Sequence, residues 1–156
     1  MGAAVGAIEA LVYGYAECID AGDFAGVAKL FEHGEITVDG DVPPVKGSAA
    51  VQKLYEHTTR IYPETGTPRT KHQCTNLIVE IDEAAGTARA RSYYTVLQQT
   101  PSLPLQPIIA GRYRDEFART DGGWHFTRRH IVVDLVGDVS QHLLIDLPDP
   151  SKSEKE

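Results

Sequence analysis

Thr87-Ala88-Arg89-Ala90-Arg91-Ser92-Tyr93-Tyr94-Thr95-Val96 is the stretch on which the fold turns. Ala88, Ala90, Ser92, Tyr94 and Val96 alternate with Thr87, Arg89, Arg91, Tyr93 and Thr95. Strict period two marks a half-buried strand, one face small or apolar and the other charged at its start. Just before it, Glu83-Ala84-Ala85-Gly86 reads as a hairpin turn, and Arg69 to Asp82 as a long β-rich partner for Thr87 to Thr100. Pro101 to Pro107 holds three prolines and reads as a loop. Ile108 to Thr120 is a third long strand, Asp121-Gly122-Gly123 a tight turn, and Trp124 to Val136 a fourth strand.

Upstream of Pro68 the period becomes helical. Ile8, Leu11, Val12, Tyr15 and Ile19 share one face, and Gly22 sits where that helix stops. Asp23 caps a short second helix, Phe24 to Phe31. Glu35 to Asp39 reads as a short strand, and Gly40-Asp41 with Pro43-Pro44 as turn and loop. Ser48 is positioned as the N-cap of a third helix carrying Val51, Leu54, Tyr55, Thr58 and Ile61, which Pro63, Gly66 and Pro68 end. Helices followed by strands with short turns predict an α+β architecture, the helices on one face of an antiparallel sheet. Long twisted strands curl, and a curled sheet closed by a helix leaves a concave interior for side chains or a ligand.

The chain has 156 residues, of which 42 % are hydrophobic and 24 % charged, the size and composition of one globular domain. That domain is expected over 1–147, with a polar, frayed tail over 148–156. A net charge of −7 without a basic run argues against nucleic acid. Cys18 and Cys74 are too few for a disulfide framework and point to a reducing cytoplasm. The start lacks a basic signal-peptide region, and no apolar run approaches the roughly 20 residues that span a bilayer. Nucleotide, phosphate, zincin and nucleophile-elbow motifs are absent, and His33, His57, His125 and His142 show no metal spacing.

Three places could carry chemistry. Asp20 lies in the last turn of the first helix, where a carboxylate opposes the macrodipole by about 0.3–1 kcal/mol. His72 opens the first long strand with parity opposite to Leu77, Val79 and Ile81, so only a bulge near Cys74–Asn76 brings it to their side. In the last strand Trp124, Phe126, Arg128 and His130 alternate, and two large aromatics mark that face as the inner one. The opposite register would instead turn His125, Thr127, Arg129 and Ile131 inward.

Tyr15 to Asp20 with Gly22-Asp23-Phe24, Leu30-Phe31 and Gly47 resembles the start of the SnoaL-like group of the NTF2-like superfamily. Thr70-Lys71-His72, Thr75-Asn76, Gly111-Arg112-Tyr113 and Asp121-Gly122-Gly123-Trp124-His125-Phe126 with Arg128 continue the resemblance from about Ile8 to Leu135. It implies an NTF2-like, cystatin-like cone, a strongly bent antiparallel sheet wrapped by N-terminal helices. Members include scytalone dehydratase and hexachlorocyclohexane dehydrochlorinase, whose His–Asp dyad matches His72 and Asp20; Arg128 matches the dehydrochlorinase's active-site Arg. Tyr15 replaces a Lys of the dehydrochlorinase and Ile19 a Tyr of the dehydratase, so neither exact reaction transfers.

The resemblance implies a cofactor-free, metal-free lyase or isomerase acting on a small apolar molecule. Its site residues would be His72 as base, Asp20 as its partner and Arg128 for charge, with Tyr15, His130, Tyr94 and Trp124 around the substrate. The alternative is a non-catalytic ligand-binding or oligomerisation module, signalled by an interior filled with aromatics. A homodimer or homotrimer is expected, because one chain has too few helices to cover both sheet faces. Tyr93, Leu97 and Ile131 are the candidates for that outer surface.

Overall fold

A computed structural model of the chain describes residues 2–147; the tail expected from residue 148 lies outside them. The helices are α1 (Gly2–Asp20), α2 (Phe24–Leu30) and α3 (Gly47–Thr58). The strands are β1 (Glu35–Val38), β2 (Val45–Lys46), β3 (Thr70–Asp82), β4 (Thr87–Thr100), β5 (Leu103–Thr120) and β6 (Gly123–Val136). They form one sheet of order β2-β1-β6-β5-β4-β3. The pairs are antiparallel except β1 with β6, which run parallel. The wholly antiparallel sheet expected from the sequence is thus corrected at one edge, where α3 and the long strands separate β1 from β6 in the chain.

α1 buries Ile8, Val12, Tyr15 and Ile19 and lies mainly against β3. By length and composition alone α1 would be long and apolar enough to cross a membrane, but Glu9, Glu17 and Asp20 interrupt its sequence. Its apolar stripe is used in the core, where these four side chains are at most 2 % exposed. Gly22 follows with φ +73°, and a Cβ there would meet the Gly66 carbonyl oxygen at 2.3 Å, so only glycine ends α1 this way. Asp23 caps α2 through its side chain, which accepts from the Gly26 N–H at 2.9 Å. α3 begins at Gly47 with Lys46 at the cap position and no side-chain cap, so Ser48 is not the cap its residue type suggested.

β5 starts at Leu103, not Ile108, which corrects the loop expected over Pro101–Pro107. β6 pairs with β5 only from Ile109 onward, and the β4–β5 ladder is irregular beyond Val96. Pro104 and Pro107 therefore fall on a stretch whose second side has no neighbouring strand, where a missing N–H is tolerated.

The inner face of the sheet carries the core: Ala88, Ala90, Tyr94 and Val96 from β4, Tyr113 and Phe117 from β5, and Phe126 from β6. Phe31 stacks on Phe126 at 4.8 Å and Tyr94 on Tyr113 at 4.5 Å. Gly111 makes the second of these contacts feasible. A Cβ there would lie 2.7 Å from the Tyr94 hydroxyl, which instead donates to the Val132 carbonyl at 3.0 Å.

Candidate active site

Asp20 and His72 meet at the end of α1. The Asp20 carboxylate accepts three hydrogen bonds from β3: Thr70 Oγ1 at 2.8 Å, His72 backbone N–H at 2.8 Å and His72 Nδ1 at 2.6 Å. Because an ionised carboxylate only accepts, Nδ1 carries a proton, and in the neutral ring Nε2 then holds the lone pair. Burial pushes the Asp20 carboxyl up, and the hydrogen bonds and charge of His72 outweigh it and hold it below the ordinary value. A carboxylate at a helix C-terminus, unfavourable by itself, is stabilised by these donors.

His72 reaches this face through a bulge. The β3–β4 register slips between Thr75 and Ile78, and Asn76 has φ +42°. Asn is one of the few non-glycine residues that enters the left-handed region readily. On one side of the slip, His72 and Cys74 face inward; on the other, Leu77, Val79 and Ile81 do. The dyad borders a cleft of about 570 Å³ whose walls include Tyr13, Glu17, Asp20, Lys71, His72 and Cys74.

The last strand is displaced by one residue from the expected register. Phe117 pairs with Phe126 but Glu116 pairs with Arg128, so Thr127 is an extra residue in β6. Period two restarts after it, and Arg129 rather than Arg128 turns inward. Arg128 lies on the outer face with its Nε 3.4 Å from Glu35. His130 leaves the interior too: its ring nitrogens meet Thr37 Oγ1 at 2.7 Å and Asp39 at 2.9 Å. Both are therefore removed from the candidate site. Ile131, expected outside, instead faces inward opposite Tyr113.

Arg129 is the residue that a strict alternation missed. It is fully buried and donates to Asp115 through Nε and Nη2, both at 2.8 Å. Its guanidinium lies 4.2 Å from the centre of the Tyr15 ring and 3.8 Å from that of Tyr113. Burial opposes the charge, but the Asp115 carboxylate more than offsets it and holds the guanidinium above its ordinary value. The inward arginine of this strand is thus Arg129, one residue after the expected Arg128, and Asp115 balances its charge.

The expected substrate residues separate. Tyr94 is inward, one ladder pair from the dyad: Cys74 pairs with Tyr94 and His72 with Val96. Tyr15 is deep in the core, where its hydroxyl hydrogen-bonds that of Tyr55. Trp124 pairs with Arg119, whereas the row of His72 and Val96 continues to Ile109. Ten strand residues between Ile109 and Arg119 span about 33 Å, which takes Trp124 away from the dyad. It is there packed on the core edge, with the Arg119 guanidinium 5.4 Å from its ring centre. Among the described residues, no three His, Cys, Asp or Glu side chains gather as a metal site.

The interior beneath the dyad is occupied by Tyr15, Phe31, Tyr94, Tyr113, Phe117 and Phe126 around Arg129. A second histidine packs beside His72. His142, from the segment after β6, has its ring centre 6.2 Å from that of His72. Burial, and then the neighbouring His72, push its pKa down to about 4.

No curated protein matches the chain by sequence. Solved structures share its fold. An NTF2-like protein with a cystatin-like fold from Novosphingobium aromaticivorans is 24 % identical with a TM-score of 0.69, over 88 % of this chain and 86 % of that one. A candidate scytalone dehydratase from the same organism is 24 % identical with a TM-score of 0.67, over 86 % of each chain. LinA is 21 % identical with a TM-score of 0.67, over 95 % of each chain. Residues 3–130 match the SnoaL-like domain, so by sequence as well as by its curled sheet and N-terminal helices this chain belongs to the SnoaL-like family.

Proposed function

We propose that this protein is a cofactor-independent lyase or isomerase that removes a proton from a small, mostly apolar molecule. His72 Nε2 is the general base. Asp20 fixes the tautomer and stabilises the imidazolium as it forms. The 2.6 Å contact between Asp20 and His72 Nδ1 carries this reading. The named relatives, a candidate dehydratase and LinA, support the same class of chemistry. Arg128 has no part in it. Arg129, already paired with Asp115, supports the floor of the site as a packed and neutralised guanidinium.

The test is deuterium exchange at carbon next to a carbonyl, followed by NMR over a panel of small cyclic ketones and hydroxyketones. The wild-type chain should accelerate exchange, and His72→Ala and Asp20→Asn should each remove about a hundredfold or more. Equal rates for the three proteins would overturn the reading.

A second reading is favoured by the aromatic filling of the interior: a non-catalytic ligand-binding or oligomerisation module in which Asp20 and His72 are a structural pair. Ligand binding that survives His72→Ala, without exchange by the wild type, would select it.

We further propose that the chain forms a homodimer or homotrimer through the outer sheet face, where Tyr93 is 55 % and Ile78 44 % exposed. The free thiols of Cys18 and Cys74 support a reducing, cytoplasmic location.

A further inference from the structure

The outer face of the sheet, opposite the face that carries the core, concentrates arginine. Across β4, β5 and β6 the ladder sets Arg91 opposite Arg114 and Arg114 opposite His130. In the next row Arg89 stands opposite Glu116, and Glu116 opposite Arg128. Like charges directly opposite each other destabilise a sheet, so the pair Arg91 and Arg114 does not serve stability. The chain as a whole carries −7, which makes a positive row on one face a local feature and not a reflection of composition.

These rows border a groove of about 580 Å³, a size that holds a small molecule, whose walls include Arg89, Arg91, Arg114, Arg128, Glu80 and Glu116. Neighbouring strands lie about 4.8 Å apart and diagonal cross-strand residues roughly 7–8 Å, so Arg89, Arg91 and Arg114 start close enough for their long side chains to meet one ligand. Among the described residues, neither Arg89 nor Arg114 makes a hydrogen bond or an ion pair. The other two arginines are held loosely. Arg91 Nη1 lies 3.6 Å from Glu80, and Arg128 Nε 3.4 Å from Glu35, a carboxylate it shares with Lys46. His130 has no nitrogen to spare, since both are engaged by Thr37 and Asp39.

The charge of the groove indicates what it takes. Four arginines against two glutamates leave a surplus of two positive charges. Asp115, at the floor, is already balanced by Arg129. A phosphate monoester carries about −1.5 to −2 at pH 7 and matches that surplus. Each guanidinium can present two parallel N–H donors to its oxygens, a geometry that lysine lacks. Ile78, 44 % exposed on the wall of the groove, offers an apolar surface to the organic part of the ester.

We propose that the outer sheet face binds a small organic phosphate between Arg89, Arg91 and Arg114. The site lies on the other face of the sheet from the Asp20–His72 pair and does not depend on its reading. The test titrates the protein with phenyl phosphate and with benzoate at constant ionic strength, by calorimetry and phosphorus NMR. Wild type should bind phenyl phosphate with a Kd of about 1 mM or tighter, and benzoate, with a single charge, about fivefold or more weakly. Arg89→Gln and Arg114→Gln should each weaken phenyl phosphate about fivefold. Glu116→Gln, which removes a negative wall charge, should tighten it. Lys53→Gln, an equal loss of charge on the exposed side of α3, should leave it unchanged. Melting curves identify a variant that does not fold, and the remaining arginine variant with Glu116→Gln then decides. Equal affinity for the two probes, or equal losses in Lys53→Gln and Arg114→Gln, overturns the proposal. So does a wild type that binds neither probe, whether light scattering then shows a second copy or a single chain.

Discussion

Arg129 and Asp115 face each other across β6 and β5, and Arg129 donates two 2.8 Å hydrogen bonds to the carboxylate, with neither side chain exposed to solvent. Removing one member strands the other's charge in the core. Arg129→Met or Asp115→Asn should each cost about 3–5 kcal/mol in denaturant unfolding. Arg129→Met with Asp115→Leu should cost clearly less than the sum. Arg128→Ala, on the outer face, should stay within about 0.5 kcal/mol and leave exchange rates unchanged.

Asp20→Asn replaces an acceptor of three hydrogen bonds with a group that also donates. A loss of about 1–3 kcal/mol is expected. The native Asp20 carboxyl titrates below its unfolded value, so its contribution is complete above about pH 4 and is lost as the pH falls through the native value. Acid unfolding curves should show this limb in wild type and a shallower one in Asp20→Asn.

His142 acts in the same sense, at a higher pH. Its ring titrates near 6.5 when unfolded and at about 4 when native. Between those values the unfolded chain binds the extra proton, so stability falls as the pH drops, by roughly 3 kcal/mol at most. His142→Gln should flatten that stretch of the stability–pH profile.

Asn76 holds the bulge that turns His72 inward. Asn76→Gly should be tolerated, while Asn76→Val should cost about 1–2 kcal/mol from left-handed strain. Asn76→Val should also weaken the Asp20–His72 contact, visible as a change in the His72 ring signals.

For the proposed oligomer, light scattering should give a multiple of 17.0 kDa. Tyr93→Lys should shift it toward that single mass without lowering the monomer's helix content. A mass of one chain at every concentration would reject the association.

The order of the helices and long strands and the misplaced carboxylate of Asp20 were legible in the chain itself; β2 and the Leu103 start of β5 were not. Local signals carry that information: alternation from Thr87 to Val96, helical spacing from Ile8 to Ile19, Gly22 as a stop and Asp23 as a cap. Asp20 stood out because its charge is wrong for its helix end. What the tertiary structure alone decided was the facing of side chains beyond each bulge. Strand side chains repeat every two residues, so one inserted residue exchanges the faces. At Asn76 that exchange brings His72 beside Asp20. At Thr127 it buries Arg129 against Asp115 and sends Arg128 and His130 outside. Neither could be counted from spacing, because a bulge is settled by which register buries the larger apolar set across neighbouring strands. The placement of His142 was equally silent in sequence, since it depends on where the chain after β6 folds back onto the end of α3.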